Sequence, residues 1–309
     1  MHRMVAAVEH QNAGACDRWV IDPARGLVVA RPAALMGILN TTPDSFSDGG
    51  RHLGVTAAVA AGVAMVQAGA EWLDIGGESS RPGAEPVTAV EETARVVPVI
   101  RALRAAGVSV PLSIDTTKAV VAKAALDAGA SAVNDISAGG DPQMFPLVAA
   151  HGCPLVLMHM QGTPRTMQVS PTYGDVVAEV IAHLAERMRA AVAAGVAESA
   201  MLLDPGIGFG KSRDHNLTLL RALPRMNREL GRPLVLGISR KSFLTGVTGE
   251  ALPVQERDAA SHVVHALIAG ECALLRVHDV AGAHAALRLR NAVTPDDLTG
   301  DREGGIHAS

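Results

Sequence analysis

Residues 111–137 read PLSIDTTKAVVAKAALDAGASAVNDIS, and this stretch contains one complete strand–helix–strand unit. The runs at 111–116 and 132–137 are short and mostly apolar, whereas residues 118–128 between them carry apolar residues at helical spacing. Gly129 follows the helical segment directly. Helices often end in a residue with left-handed backbone conformation, and that residue is usually glycine. Apolar runs that alternate with helices are typical of a parallel sheet that is covered by helices.

The same unit recurs along the chain. Eight short apolar runs lie at 34–40, 72–77, 111–116, 132–137, 154–160, 201–206, 233–239 and 273–279. Helical segments between them include 88–106, 118–128, 175–194 and 256–270, and the glycines that follow or end them are Gly107, Gly129, Gly195 and Gly270. Eight such units within about 250 residues predict a (β/α)₈ barrel. A doubly wound sheet is the alternative that the same alternation allows.

A β-hairpin is predicted ahead of the barrel. Residues 17–32 contain two apolar runs on either side of an Asp-Pro-Ala-Arg-Gly turn. We expect this hairpin to close the floor of the barrel. The predicted organisation is one catalytic domain over residues 17–292, with mobile tails at 1–16 and 293–309.

Composition disfavours several classes of function. The chain of 309 residues is 48% hydrophobic but only 2% aromatic, and its formal charge is −4. A nucleic-acid binder would need a basic surface and aromatic side chains for stacking, so we expect no nucleic-acid partner. No signal-peptide pattern and no run of about 20 apolar residues is present, which predicts no membrane contact. The three separated cysteines, Cys16, Cys153 and Cys272, are expected to be reduced in a cytoplasmic protein.

Polar residues occur at the C-terminal end of all eight apolar runs or just after it. In a barrel, these strand ends and the loops that follow them face one cavity. The residues are Asn40, Glu78, Ser79, Ser80, Arg81, Asp115, Asn134, Asp135, His159, Asp204, Ser239, Arg240, Lys241, Ser242, Arg276 and His278. Any one of them is equally consistent with a cap or a turn. Their recurrence at the same end of every run favours a shared site.

The chemistry of this set indicates the kind of ligand. Asp115, Asn134 and Asp204 offer oxygens that can accept from N–H groups, and a carboxylate complements the guanidine-like edge of a heterocycle. Arginine and histidine, as in Arg276 and His278, suit phosphate oxygens. We therefore predict a ligand with a heterocyclic end and an anionic end.

Three other features have simpler interpretations. Residues 204–212 read DPGIGFGKS and end like a phosphate-binding loop, but Pro205 stands where the first glycine is required. The glycines are better explained by a tight turn beside a flat ligand. His262 and His265 share a helix face without a third ligand at metal spacing, which favours packing or a subunit contact. Met158 and Phe209 are consistent with core packing or with a ring-binding slot.

The order of the motifs resembles that of the dihydropteroate synthase family over roughly residues 33–290. The stretches are MGILNTTPDSFSDGG (36–50), DIGGESSRPGA (74–84), SIDT (113–116), NDIS (134–137), LMHMQG (157–162), LLDPGIGFGK (202–211), GISRKSF (237–243) and RVHDV (276–280). The resemblance implies a barrel enzyme, normally a homodimer, that uses Mg²⁺. It joins p-aminobenzoate to 6-hydroxymethyl-7,8-dihydropterin pyrophosphate and releases pyrophosphate and 7,8-dihydropteroate. Sulfonamides compete as mimics of p-aminobenzoate.

The resemblance also implies the site residues by motif position. Catalytic roles are assigned to Asp115, Lys241 and Arg276. The pterin pyrophosphate is expected to contact Ser80, Asp115, Asn134, Met158, Asp204, Phe209, Lys241, Arg276 and His278. The p-aminobenzoate pocket is expected to comprise Thr42, Pro43, Phe46, Arg81, Pro82, Arg240 and Ser242, and Asn40 is expected to hold the metal. Many family members have Thr in place of Ser80, so the pocket packing there departs from the family pattern.

Two alternative functions share these residues. A catalytically silent pterin-binding paralogue would have the same fold, and so would the pterin-binding barrel of a corrinoid methyltransferase. The intact set of Asn40, Arg81, Lys241, Arg276 and His278 argues against the first. The second has no need of the SRKSF stretch at 239–243, and the sequence contains no cobalamin module.

Overall fold

The computed structural model of this chain describes residues 18–41, 50–81, 83–248, 253 and 256–294. The described part begins with an antiparallel hairpin of β1 (Arg18–Asp22) and β2 (Leu27–Ala30). Ile21 and Val29 of this hairpin pack against Met36, Trp72 and Leu274 from the barrel strands. This confirms the prediction that the hairpin closes the barrel floor.

Eight short parallel strands form the barrel. They are β3 (Ala34–Asn40), β4 (Trp72–Gly76), β5 (Leu112–Asp115), β6 (Ala132–Asp135), β7 (Leu155–Met158), β8 (Met201–Asp204), β9 (Val235–Leu236) and β10 (Leu274–Val277). The strands follow one another from β3 to β8, and β10 pairs with both β3 and β9. A parallel bridge between Leu203 and Leu234 links β8 to the chain entering β9. The predicted (β/α)₈ class is confirmed, and an open doubly wound sheet is excluded.

Helices surround the barrel. They are α1 (Gly50–Gln67), α2 (Ala89–Ala105), α3 (Ala119–Asp127), α4 (Met144–His151), α5 (Val176–Ala193), α6 (Arg213–Arg221), α7 (Leu223–Leu230), α8 (Phe243–Thr248), α9 (Arg257–Ile268) and α10 (Val280–Val293). Gly107, Gly129 and Gly195 follow three of these helices with positive φ angles of 82°, 113° and 95°, as predicted. Gly270 was expected to act in the same way, but it lies in a 3₁₀ turn over Ala269–Glu271. That turn continues α9 directly, so no left-handed residue is needed there.

The main hydrophobic core lies between the barrel and the helices. It is built from aliphatic side chains such as Leu73, Ile75 and Ile114, which are fully buried. Cys153 and Cys272 are buried free thiols, as predicted, whereas Cys16 lies outside the described residues. No helix in the described part has the length and apolar composition that would let it cross a membrane. The predicted tails also lie outside the described residues, apart from Val293 and Thr294.

Candidate active site

The carboxyl ends of the strands meet at the barrel mouth, and the strand register places polar residues side by side. Asp115 on β5 is in register with Asn134 on β6 and with Gly76 on β4. A Cβ atom on Gly76 would lie 3.7 Å from Asp115 Oδ2 and 3.9 Å from Asn40 Oδ1. Asn40 and Asp115 therefore border the same small space, which the absence of a side chain at Gly76 leaves open.

Arg276 on β10 is the central cation of this cluster. Its Nε donates to Asp74 Oδ2 and its Nη2 donates to Asp115 Oδ2, both at 2.5 Å. Burial alone would lower the pKa of Arg276, but the carboxylates of Asp74 and Asp115 outweigh that effect and raise it. Burial raises the pKa of Asp115, and the adjacent guanidinium opposes the rise. The guanidinium is therefore held, charged, between two carboxylates.

Asp74 is a site residue that the sequence reasoning missed. Its side chain is fully buried, and Oδ2 accepts from Asn134 Nδ2 at 3.0 Å as well as from Arg276. Its Oδ1 has no hydrogen-bond partner in the part of the chain that the structure describes. The sequence feature that could have indicated Asp74 is its position within the apolar run WLDIG (72–76), which forms a strand that is buried at every position. A carboxylate inside such a strand must be paired, because burying an isolated charge is costly.

A second wall of the site is formed by Lys241 and Phe209. Lys241 Nζ lies 4.0 Å from the centroid of the Phe209 ring and donates to the carbonyl oxygen of Ile207. Burial lowers the pKa of Lys241 to about 7, with Asp204 acting in the opposite direction. Asp204 on β8 is buried, is in register with Met158 on β7, and accepts from the Gly206 N–H at 2.6 Å.

His278, just beyond β10, is a neutral ring among guanidinium groups. Its Nδ1 lies 3.0 Å from Ser239 Oγ, and its backbone N–H donates to the same oxygen at 3.2 Å. Burial, together with the charges of Arg240, Arg276 and Arg81, lowers the pKa of His278 to about 4. Three guanidinium groups therefore lie on the same side of the mouth as His278.

A cavity of about 520 Å³ opens at the mouth beside this cluster. Asp115 and Met158 line it together with residues of the loops that follow β4, β6 and β7, such as Ser80, Ile136 and Thr163. This volume is in the usual range for a small-molecule site.

Three of the predicted residues of the p-aminobenzoate pocket lie in the described part of the chain. Arg240 makes two 2.8 Å hydrogen bonds to the Asp258 carboxylate on α9, which fixes its guanidinium. Ser242 is exposed immediately before α8, at the predicted helix start. Arg81 is exposed on the loop after β4. Thr42, Pro43, Phe46 and Pro82 lie outside the described residues.

The histidine pair lies on α9, and the phosphate-loop-like motif connects β8 to α6. His262 lies 3.3 Å from Asp279, and His265 is fully buried. In the described residues, no group of three or more His, Cys, Asp or Glu side chains is placed to hold a metal ion. Ser212 of the DPGIGFGKS motif is the N-cap of α6, where its Oγ accepts from the His215 N–H at 3.2 Å.

His265 leads to a prediction about pH and stability. Neither of its ring nitrogens has a hydrogen-bond partner among the described residues, and burial lowers its pKa to about 3. Below about pH 6.5 the unfolded chain therefore binds a proton that the folded chain does not. The free energy of unfolding consequently decreases as the pH is lowered. In urea unfolding, the free energy of unfolding of a His265→Leu variant, relative to that of the parent, should rise by about 2 kcal/mol when the pH is lowered from 7 to 5. A difference that is constant with pH would contradict this prediction.

Comparison with known proteins gives matches over most of the chain. The family described as "Pterin binding enzyme" matches residues 36–278. A Mycobacterium leprae protein named dihydropteroate synthase is 47% identical over 269 residues, which cover 84% of this chain and 93% of that protein. A Xanthomonas albilineans dihydropteroate synthase solved with 4-aminobenzoic acid has a TM-score of 0.81 and 46% identity, covering 90% of this chain and 99% of that one. The same enzyme solved with 7,8-dihydropteroate has a TM-score of 0.78 and 44% identity, covering 90% of this chain and 100% of that one.

Proposed function

The chain belongs to the pterin binding enzyme family, and on that basis we propose that it acts as a dihydropteroate synthase. It is a transferase that joins p-aminobenzoate to 6-hydroxymethyl-7,8-dihydropterin pyrophosphate and releases pyrophosphate and 7,8-dihydropteroate. The observation that carries this proposal is the hydrogen-bonded group of Asp74, Asp115, Asn134 and Arg276. It sets acceptors for the N–H groups of a heterocycle beside a fixed cation for an anionic leaving group.

The residues of the second wall complete the proposed pterin slot. Asp204 accepts from ring N–H groups, while Lys241 donates to ring acceptors. Met158 and Arg276 lie on the two faces of the bound pterin ring in this proposal. Phe209 packs against Lys241, whose Nζ is 4.0 Å from the centroid of the Phe209 ring. Because Asp204 is buried and Lys241 is partly buried, their hydrogen bonds to a bound ring meet less competition from water than they would at the surface.

The reaction breaks the bond between the exocyclic methylene carbon and the pyrophosphate oxygen. Positive charge develops on the methylene and is delocalised by the ring nitrogens, so Asp115 stabilises it as a nearby negative charge. Arg276 and His278 stabilise the negative charge of the leaving pyrophosphate. The arylamine nitrogen then forms the new C–N bond and loses one proton, and no base is needed to activate it because it is neutral at pH 7.

Asp74 explains how Arg276 serves this step. It holds the guanidinium through Nε, and Nη1 donates to no acceptor in the described part of the chain. That nitrogen is therefore the donor that points to a phosphate oxygen in our proposal. A guanidinium that is fixed in advance loses less conformational freedom when the anion binds.

The residues present also fit a Mg²⁺ ion at the pyrophosphate. Asn40 ends β3, and β3 pairs with the strand that carries Arg276 and precedes His278. Mg²⁺ usually keeps several waters and takes one or two protein oxygens plus substrate phosphates, so a single amide at Asn40 suffices. When bound, the ion would supply Lewis-acid stabilisation of the leaving group.

We also propose that the protein is a homodimer that associates through α9 and α10. These helices pack side by side. Val263 and Leu267 lie one turn apart on α9 and are exposed, as are Leu289 and Val293 on α10. Sedimentation should give twice the chain mass of 31.9 kDa, and Leu267→Glu should shift it towards the monomer. A monomeric parent protein at micromolar concentration would refute this proposal.

The proposed activity is tested by measuring pyrophosphate release. Release should require both the pterin pyrophosphate and p-aminobenzoate, and it should be matched by formation of 7,8-dihydropteroate. A protein that binds the pterin but releases no pyrophosphate in the presence of p-aminobenzoate and Mg²⁺ would be the silent paralogue instead.

Ser242 tests how p-aminobenzoate is recognised. In our proposal its exposed hydroxyl donates to the benzoate carboxylate. Ser242→Ala should therefore raise the KM for p-aminobenzoate about tenfold, as expected for losing a hydrogen bond to a charge, and leave the pterin KM within about twofold. Ser212→Ala is the matched control, because Ser212 caps α6 and should lower only stability, by about 1 kcal/mol. If both variants lose stability with unchanged KM values, Ser242 is an ordinary cap.

A further inference from the structure

A buried lysine that has no part in the proposed reaction lies behind the second wall of the site. Lys211 ends the DPGIGFGK stretch and is only 3% exposed. Its Nζ is 2.9 Å from each of three acceptors, namely the carbonyl oxygens of Gly206 and Phe209 and the Nδ1 of His159. The carbonyl oxygen of His159 is a fourth contact, at 3.3 Å.

These contacts match the three donors of a lysine ammonium group. Burial lowers the pKa of His159 to about 3, so its ring stays neutral and Nδ1 can accept. Burial also lowers the pKa of Lys211 itself, to about 7, with Asp204 opposing the shift. An apolar side chain would fill this position at lower cost than a charge, since burying an ammonium group is expensive. Packing alone therefore does not account for a lysine here.

The two carbonyls belong to a turn that only glycines can form. Gly206, Gly208 and Gly210 have φ angles of 68°, 82° and 61°. Side chains at these positions would collide with the His159 carbonyl, with Lys241 and with Gln161, respectively. The turn therefore has little stiffness of its own, because glycine has the largest conformational freedom. Lys211 supplies the missing constraint by holding the carbonyls of Gly206 and Phe209.

The other side of the same turn faces the pterin slot. The carbonyl of Ile207 accepts from Lys241 Nζ, and the Phe209 ring lies 4.0 Å from that nitrogen. The N–H of Gly206 donates to Asp204 Oδ1 at 2.6 Å. The turn therefore contacts or contains three residues of the proposed slot, Asp204, Phe209 and Lys241. Two carbonyl oxygens of the same turn, those of Gly206 and Phe209, accept from Lys211.

We propose that Lys211 is a positioning residue that acts through Lys241: it holds the 206–210 turn, and that turn places the Ile207 carbonyl and the Phe209 ring against the Lys241 ammonium group. This inference rests on the proposed function, because it takes the slot to be the pterin site. Lys211 itself does not touch the ligand.

A double-mutant cycle on binding tests the proposal. The affinity for 6-hydroxymethylpterin is measured by calorimetry for the parent protein, Lys211→Met, Lys241→Met and the double variant. Lys211→Met should weaken binding about tenfold, and Lys241→Met should cost much less in that background than in the parent, since coupled residues are not additive. Additive effects would overturn the proposal. Lys211→Gln, which keeps two donors, is carried through the same cycle in case the Met variant does not fold.

Arg104 provides the matched control. Arg104 also donates to several backbone carbonyl oxygens. Its Nε donates to that of Gly129 at 3.0 Å, and its Nη1 donates to those of Val108 and Val110 at 2.7 and 2.8 Å. Unlike Lys211, it lies on α2, away from the barrel mouth. Arg104→Met should lower Tm while pterin affinity stays within about twofold. If Arg104→Met and Lys211→Met weaken the pterin equally, Lys211 has only a structural role. A parent protein that binds no pterin would instead overturn the proposed function itself.

Discussion

An Asp115→Asn variant is expected to lose at least about 100-fold in kcat while remaining folded. The amide keeps the size and shape of the side chain but removes the negative charge that faces the developing cation. Asp115 is positioned for this role by the end of β5 and by the Nη2 donor of Arg276 at 2.5 Å. A charge aimed at the transition state in a site that excludes water typically contributes a few kcal/mol. The measurement is steady-state pyrophosphate release at saturating substrate concentrations.

Asp22→Asn is the matched control for this variant. Asp22 is also a buried carboxylate paired with an arginine, since its Oδ2 lies 2.6 Å from Arg25 Nη1. It lies on the hairpin at the barrel floor, so its loss should lower stability and leave kcat within about twofold. A loss of less than tenfold in a folded Asp115→Asn protein would remove Asp115 from the proposed mechanism.

The second large effect is expected from Arg276→Met. Removing the guanidinium leaves Asp74 and Asp115 close together without their cation, and Asp74 is fully buried. Breaking a buried ion pair in this way typically costs about 3–5 kcal/mol of stability. Binding should change as well, because the variant should lose affinity for the pyrophosphorylated pterin much more than for the pterin alcohol.

A second substitution separates the two roles of Arg276. Asp74→Asn in the Arg276→Met background removes one of the unpaired charges, so it should recover part of the lost stability in urea unfolding. It should not recover the affinity for pyrophosphate, because the cation is still missing. Equal weakening of the pterin alcohol and its pyrophosphate in calorimetry would mean that Arg276 serves only the ring.

The barrel and the location of its site were predictable from local patterns. Apolar runs that alternate with helical segments depend only on neighbouring residues, and parallel strands place their carboxyl ends at one edge. The polar residues at those ends, such as Asn40, Asp115 and Asn134, therefore had to converge once eight runs were counted. The predicted glycine end of α9 was wrong because Gly270 continues into a 3₁₀ turn, and residue type alone does not distinguish these two helix ends.

The pairing of buried charges was decided only by the tertiary structure. Arg276 and Asp74 are separated by 202 positions in the chain, and Asp115 by 161 from the same arginine, so no local pattern connects them. In the same way, Arg240 is fixed by Asp258 on α9, and Lys211 binds His159 across 52 positions. Each of these cations had several acceptors of the right chemistry along the sequence. Which acceptor it met depended on how the closed barrel brought distant strand ends within hydrogen-bonding distance, because a buried charge is stable only where its partners converge.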